Sequence, residues 1–115
     1  MIVDLSSVRI FVRPGITDMR KQINGLAIIV ESTMKQEPFS GNLFMFSNRQ
    51  RTVLKVLYWD RNGFCLIMKR LEKDRYPWPR DDEEAREIDR EQILLLLRGI
   101  DFWSEHRSLS YQTVL

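Results

Sequence analysis

Apolar and polar positions divide the chain into short alternating runs and two helical stretches. Val8–Arg13 alternates and is rich in β-branched and aromatic residues, which predicts a strand. Pro14-Gly15 then turns the chain. Thr17 or Asp18 can cap a helix, and Met19, Ile23, Leu26, Ala27, Val30 and Met34 recur on one helical face beyond them. This spacing predicts a helix from Asp18 to Lys35 that packs on a neighbouring layer. Gly25 inside it costs roughly 1 kcal/mol against Ala, a cost that close backbone approach to the sheet would offset. Glu37-Pro38 ends the helix, Ser40-Gly41 turns the chain, and Leu43–Ser47 reads as a short strand.

The strongest local signal follows. Two apolar-rich runs, Val53–Trp59 and Phe64–Leu71, flank Asn62-Gly63, and both turn residues tolerate positive φ, so a β-hairpin is expected. Strand alternation puts Val53, Lys55, Leu57, Trp59, Phe64, Leu66, Met68 and Arg70 on one face. Leu54, Val56, Tyr58, Cys65, Ile67, Lys69 and Leu71 fall on the other. Both faces are largely apolar, so the hairpin should be central or should meet a partner. Tyr76-Pro77-Trp78-Pro79 is stiff and extended. Arg80–Glu87 is highly charged and reads as a solvated linker or a short helix.

Asp89 and Gln92 have the spacing of a capping box, ahead of a helix Arg90–Arg98 that Gly99 stops. Ile93 to Leu97 is apolar on every side, and so short a helix is marginal alone, so it must dock. Phe102 to Leu115 carries no pattern. The expected fold is α+β: a small antiparallel sheet with a central β-hairpin, one main helix packed on it and a short C-terminal helix. The division expected is a basic core domain at 1–79 and an acidic linker, short helix and tail at 80–115.

Charge supports that division. The net charge of +2 hides an asymmetry: residues 1–80 hold 14 Lys/Arg against 7 Asp/Glu, and residues 81–115 hold 4 against 9. A basic body with an acidic tail points to a polyanion partner for the body. At 115 residues and 43% hydrophobic, the chain can bury a modest core. No apolar run approaches the ~20 residues that span a bilayer, and the first residues lack a signal-peptide pattern. A single cysteine, Cys65, excludes an intrachain disulfide and fits a reducing compartment, so a cytoplasmic location is expected.

Signals for catalysis are poor. The single histidine, His106, and Cys65 lie in a tail and on a strand with no motif around either. Cys65 reads better as a small core residue, and too few Cys and His exist for a zinc site. No glycine loop ends in Lys-Ser/Thr. Asp60 sits at the hairpin tip, where such residues ordinarily bond nearby backbone N–H groups. The chain is therefore expected to be no enzyme and to need no cofactor or metal.

An ordered set of motifs resembles a known family. G-I-T-D-M-R-K-Q-I-N-G-L at 15–26, S-G-N-L-F-M-F-S-N-R at 40–49, L-K-V-L-Y-W-D-R-N-G-F-C-L at 54–66, K-R-L-E-K at 69–73 and Y-P-W-P at 76–79 carry it. They resemble the TnpB (Orf-two-like) accessory proteins of the bacterial insertion sequence sixty-six transposase family. Members more often have Phe where this chain has Tyr76. The match is weak beyond Pro79. The resemblance implies a process, DNA transposition, in which a separate large protein is the transposase and this one an accessory. Nothing here resembles the far longer RNA-guided nuclease that shares the TnpB name.

Read for binding, the basic residues form groups. Arg20 and Lys21 would sit in the first turn of the main helix, where cations oppose the helix dipole and an approaching phosphate would favour them; Arg13 could join them. The plainer reading is that Asp18 offsets them. Arg49 and Arg51 lie in a loop that can track a nucleic-acid backbone. Lys55 and Arg70 share a hairpin face, an arrangement that asks for an anion or for a neighbouring acid such as Glu72. Lys69 and Lys73 extend the cationic edge, though lysines also protect ordinary edge strands. Tyr58, Trp59, Phe64, Tyr76 and Trp78 could stack bases but fit a core better, Trp78 least so. The expected partners are DNA at the element ends, through these cations, and the transposase or another accessory protein, through the acidic tail and leucine-rich helix. The alternative is a protein-interaction module that never touches DNA.

Overall fold

The computed structural model describes residues 5–80 and 84–98. Expectations for Gly99, His106 and the 102–115 tail lie outside the described residues. Seven elements follow in chain order: β1 (Ile10–Val12), α1 (Ile23–Ser32), β2 (Leu43–Ser47), β3 (Val53–Asp60), β4 (Gly63–Arg70), β5 (Arg86–Ile88) and α2 (Arg90–Leu97). The strands form one sheet in the order β4-β3-β2-β1-β5.

The fold is α+β, as the sequence pattern predicts, with an added feature. β1 and β2 pair in parallel, whereas β1–β5, β2–β3 and β3–β4 are antiparallel. A parallel pair needs a crossover, and α1 supplies it. β2 is buried along its whole length, which explains why Leu43–Phe46 is apolar without alternation.

Side-chain parity sorts the strands into two cores. Phe11, Phe44, Phe46 and Leu57 point to one face and meet Leu26, Ile29, Val30 and Met34 of α1 and its C-terminal turn. Ile10, Val12, Leu43, Met45, Leu54 and Tyr58 point to the other and meet Ile93 and Leu96 of α2. The sheet is thus the middle of three layers. α2 is capped as expected: Gln92 N donates to Asp89 Oδ1 (2.8 Å) and Asp89 N to Gln92 Oε1 (2.9 Å). Its docking on the sheet supplies the burial that a short helix needs.

Arg86 and Glu87, expected in a linker or short helix, lie with Ile88 in a strand. Ile88 pairs with Ile10 and Arg86 with Val12. The Arg9 guanidinium binds the Glu87 carboxylate through two bonds of 2.9 and 2.7 Å across that pairing. These bonds hold the Glu87 carboxyl below its ordinary range.

α1 begins five residues later than the spacing predicts. Asp18 does not cap it: its carboxylate accepts from Arg20 N and from the Arg20 guanidinium, and Asp18 O accepts from Lys21 N. The helical ladder starts with Leu26 N donating to Gln22 O. At the other end Lys35 takes a left-handed conformation (φ 58°), and Gln36 N reaches back to Val30 O. Gly25 does not approach the sheet. A Cβ there would instead meet Lys21 Cβ at 3.2 Å.

The hairpin has the expected faces, with Trp59 opposite Phe64 and Lys55 opposite Met68. Its turn differs. Asp60 pairs with Gly63, so Arg61-Asn62 is the two-residue loop, and Arg61 (φ 55°) takes the left-handed conformation. Gly63 belongs to β4.

Candidate nucleic-acid interface

Strand direction brings three loops to one end of the sheet. These are residues 13–22 after β1, 48–52 between β2 and β3, and 70–80 from the last residue of β4 onwards. Backbone bonds tie them together: Thr17 N to Ser47 O (2.9 Å), Gly15 N to Pro79 O (3.0 Å), Leu71 N to Thr52 O (2.7 Å) and Tyr76 N to Arg51 O (2.7 Å). Asn48 Oδ1 closes its own loop by accepting from Thr52 N and Val53 N. The three segments carry nine cations (Arg13, Arg20, Lys21, Arg49, Arg51, Arg70, Lys73, Arg75, Arg80) against three carboxylates (Asp18, Glu72, Asp74).

The structure divides the sequence-predicted cations by role. Lys55 is turned inwards rather than presented to solvent. It is only 3% exposed, and its Nζ donates to Met19 O and Lys21 O at 2.9 Å each. Carbonyls just ahead of α1 are thereby satisfied by an ammonium from β3 rather than by helix, which is why α1 starts late. Lys55 and Arg70 do share a hairpin face, and Arg70 meets the neighbouring acid that the sequence offers, Glu72. Arg70 stands opposite Val53 and pairs with Glu72 at 3.1 Å.

Two arginines are internal ties. Arg13 Nη1 donates to Ile16 O (2.6 Å) and Thr17 Oγ1 (3.0 Å), and Arg51 Nη1 donates to Gly15 O (2.8 Å). Both are half-buried. Arg51 also has φ 63°, so the side chain that reaches Gly15 sits on a left-handed residue.

The exposed set is Arg20, Lys21, Arg49, Arg70 and Lys73, together with Lys69. Arg20 and Lys21 precede α1 rather than lying in its first turn, so the dipole argument does not apply to them. Arg20 is paired with Asp18 at 2.8 Å. Hydrogen bonds from the Arg20 side chain and backbone hold the Asp18 carboxyl down to about 2. Arg20 and Arg49 line a cleft of about 460 Å³ between the 16–20 and 48–50 segments. Lys69 faces the α2 side of the sheet, opposite Leu54, away from Arg70. Arg75 and Arg80 are also exposed at this end. Their place among the site residues follows from the β4 direction and the Tyr76 N to Arg51 O bond, neither of which residue type announces.

Most aromatics are structural. Tyr58 and Tyr76 are buried in the α2-side core. Trp78 Nε1 donates to Arg13 O (2.8 Å), so the residue between two prolines ties loops together instead of offering a free ring. Trp59 and Phe64 cluster with Phe39 at the far end of the sheet, with ring centroids 5.0–5.3 Å apart; the two Trp59 contacts are edge-on and Phe39–Phe64 is tilted. Phe39, 56% exposed, has no strand or helix periodicity to signal it.

Among the described residues no cluster of three His, Cys, Asp or Glu could hold a metal, and no helix is long and apolar enough to cross a membrane. Cys65 is half-buried against the α2-side core, and burial first, then its thiol, push the Tyr58 phenol up.

Known proteins place the chain. It is 39% identical over 102 residues to the uncharacterized protein y4hO of Sinorhizobium fredii, covering 89% of each chain. It is 31% identical over 102 residues to the uncharacterized protein y4jC of the same organism, covering 89% of this chain and 87% of that one. No solved structure matches. The family described as IS66 Orf2 like protein matches residues 8–107, well past Pro79, and the chain belongs to that family.

Proposed function

We propose that the protein is a non-catalytic accessory factor in transposition of a bacterial insertion sequence and contacts DNA phosphates with the basic end of its sheet. The contacting set is Lys21, Arg49, Lys73, Arg75 and Arg80, with Arg20 and Arg70 joining once phosphate competes with Asp18 and Glu72. Lys55, Arg13 and Arg51 hold the loops that present them. The observation that carries this reading is the convergence of three mutually bonded loops with nine cations and three carboxylates at one end. Family membership supplies the process.

Cations mostly on loops, and none of them on a helix among the described residues, favour backbone contact over base reading, so sequence preference should be weak. Titration of labelled duplex DNA at several salt concentrations tests the reading. Each phosphate neutralised contributes a slope of about −0.9 in log K against log salt.

A second reading has its own support. Asp18 and Glu72 already pair two of the cations, which lowers the free charge at this end. The basic end would then meet an acidic surface of the transposase or of another accessory protein. Binding to purified transposase with no DNA binding at low salt would favour it.

A further inference from the structure

β4 forms one edge of the sheet and, among the described residues, pairs with β3 alone. Edge strands are ordinarily blunted by shortness, proline, a bulge or charge. β5, at the opposite edge, is three residues long. β4 spans eight residues, holds no proline and matches β3 residue for residue without a bulge. Its charges, Lys69 and Arg70, are confined to one end, whereas its middle is apolar and open: Ile67 is 47% exposed and Met68 62%.

The direction of its backbone groups follows from the ladder. Leu71 N donates to Thr52 O (2.7 Å), in line with the β3–β4 register. Antiparallel alternation then turns the N–H and C=O groups of Gly63, Cys65, Ile67 and Lys69 towards β3. Those of Phe64, Leu66, Met68 and Arg70 point outwards.

We propose that β4 pairs with β4 of a second copy, antiparallel about a two-fold axis through Ile67, so that two sheets join into one. An axis perpendicular to the sheet keeps the α1 side of one copy level with the α1 side of the other, so only residues of one face can stand opposite each other. Centred on Ile67, the register sets Phe64 against Arg70 of the second copy, Cys65 against Lys69, Leu66 against Met68 and Ile67 against itself.

Three observations select a second copy as the occupant. The strand is self-complementary in charge: each cation meets Phe64 or Cys65, and no like charges face each other. All four outward residues find a partner, giving about eight backbone hydrogen bonds. The exposed apolar side chains of β4, Ile67 and Met68, come together at the centre of the contact. Because β4 runs towards the basic end, the basic end of the second copy points the opposite way. Resting on the DNA reading above, one dimer then joins two duplexes.

Sedimentation equilibrium of the full chain, from micromolar to submillimolar concentration, reads the association. The proposal expects a monomer–dimer equilibrium for the unaltered chain and a monomer for Ile67→Lys, which sets two ammonium groups side by side on the axis. A monomer throughout for the unaltered chain would overturn it, as would a dimer that Ile67→Lys leaves intact. Disulfide trapping tests the register and decides the matter if Ile67→Lys unfolds. The facing Ile67 residues form a non-hydrogen-bonded pair, in which Cα atoms lie about 4.5 Å apart, within disulfide reach. In a Cys65→Ser background, Ile67→Cys should therefore give a covalent dimer on oxidation. Leu66→Cys, two residues out of step with its own copy, should not. Trapping through Leu66→Cys and not Ile67→Cys contradicts the pairing. Capture of a second labelled duplex on an immobilised one should succeed with the unaltered chain and fail with Ile67→Lys. If neither protein binds DNA, the DNA reading fails and the trapping result still decides the pairing.

Discussion

At the scale of residues, Tyr76 and Lys55 show how a side chain's partners decide its role. Tyr76 is buried, and its hydroxyl has no hydrogen-bond partner among the described residues. That burial pushes the phenol above its ordinary pKa. An unsatisfied buried hydroxyl costs about 1–3 kcal/mol. Tyr76→Phe is therefore expected to stabilise the protein by about 1 kcal/mol, seen as a rise of about 4 °C in Tm. A fall would mean the hydroxyl has an acceptor.

Lys55 is the opposite case, a buried charge with carbonyl partners at 2.9 Å. Lys55→Met should cost about 2–4 kcal/mol in denaturant unfolding, because it strands the carbonyls of Met19 and Lys21. In protein that remains folded, it should leave the salt slope of DNA binding unchanged, whereas Arg49→Ala should reduce that slope by about 1. Asp18 offers a pH test. Its folded value of about 2 lies below its ordinary 3.8, so the stabilisation it contributes is present above 3.8 and is lost as pH falls through about 2. Arg20→Ala should raise the Asp18 carboxyl midpoint, followed by NMR, only part of the way towards 3.8, because the backbone N–H of residue 20 still donates to the carboxylate.

At the scale of elements, two glycines expected in turns behave differently. Gly41 has φ +86°, and Gly63 has ordinary strand geometry with nothing within 4 Å of an added Cβ. Gly63→Ala should be neutral or stabilise by up to about 1 kcal/mol. Gly41→Ala should destabilise by about 1 kcal/mol or more, since Ala resists positive φ. Thermal melts of the two variants give the comparison directly. The same elements show what residue patterns can reveal. The hairpin faces were legible because a period of two survives any even shift of register. The turn was not, because Arg61 rather than Asn62-Gly63 takes the left-handed conformation. The start of α1 was hidden because Lys55, more than thirty residues away, captures the carbonyls that Asp18 was expected to organise. β5 is three residues long and exists through its pairing with β1, so no local period announces it. The capping box of α2 was legible because it is wholly local.

At the scale of the whole molecule, strand order and charge act together. The three loops after β1, β2 and β4 gather at one end because β1 and β2 run parallel and β4, beyond the antiparallel β3, runs in the same direction. Basic composition was readable from the chain, and so were most of the exposed cations. Which of those cations hold the loops and which face solvent depended on non-local hydrogen bonds. The aromatic cluster of Phe39, Trp59 and Phe64 lies at the opposite end, away from the cations.

The central claim is that the exposed cations at the basic end bind DNA phosphates. The most direct test is fluorescence-anisotropy titration of the full chain against duplex DNA carrying the element ends, beside scrambled duplex, across a salt series. The account predicts binding with a log–log salt slope of about −4 to −6, matching about five phosphate contacts, or about seven once Arg20 and Arg70 join. It predicts little preference between the two duplexes, and loss of most binding when Lys21, Arg49, Lys73 and Arg75 are replaced by Ala. Absence of binding at low salt, or binding that this variant leaves unchanged, would contradict it.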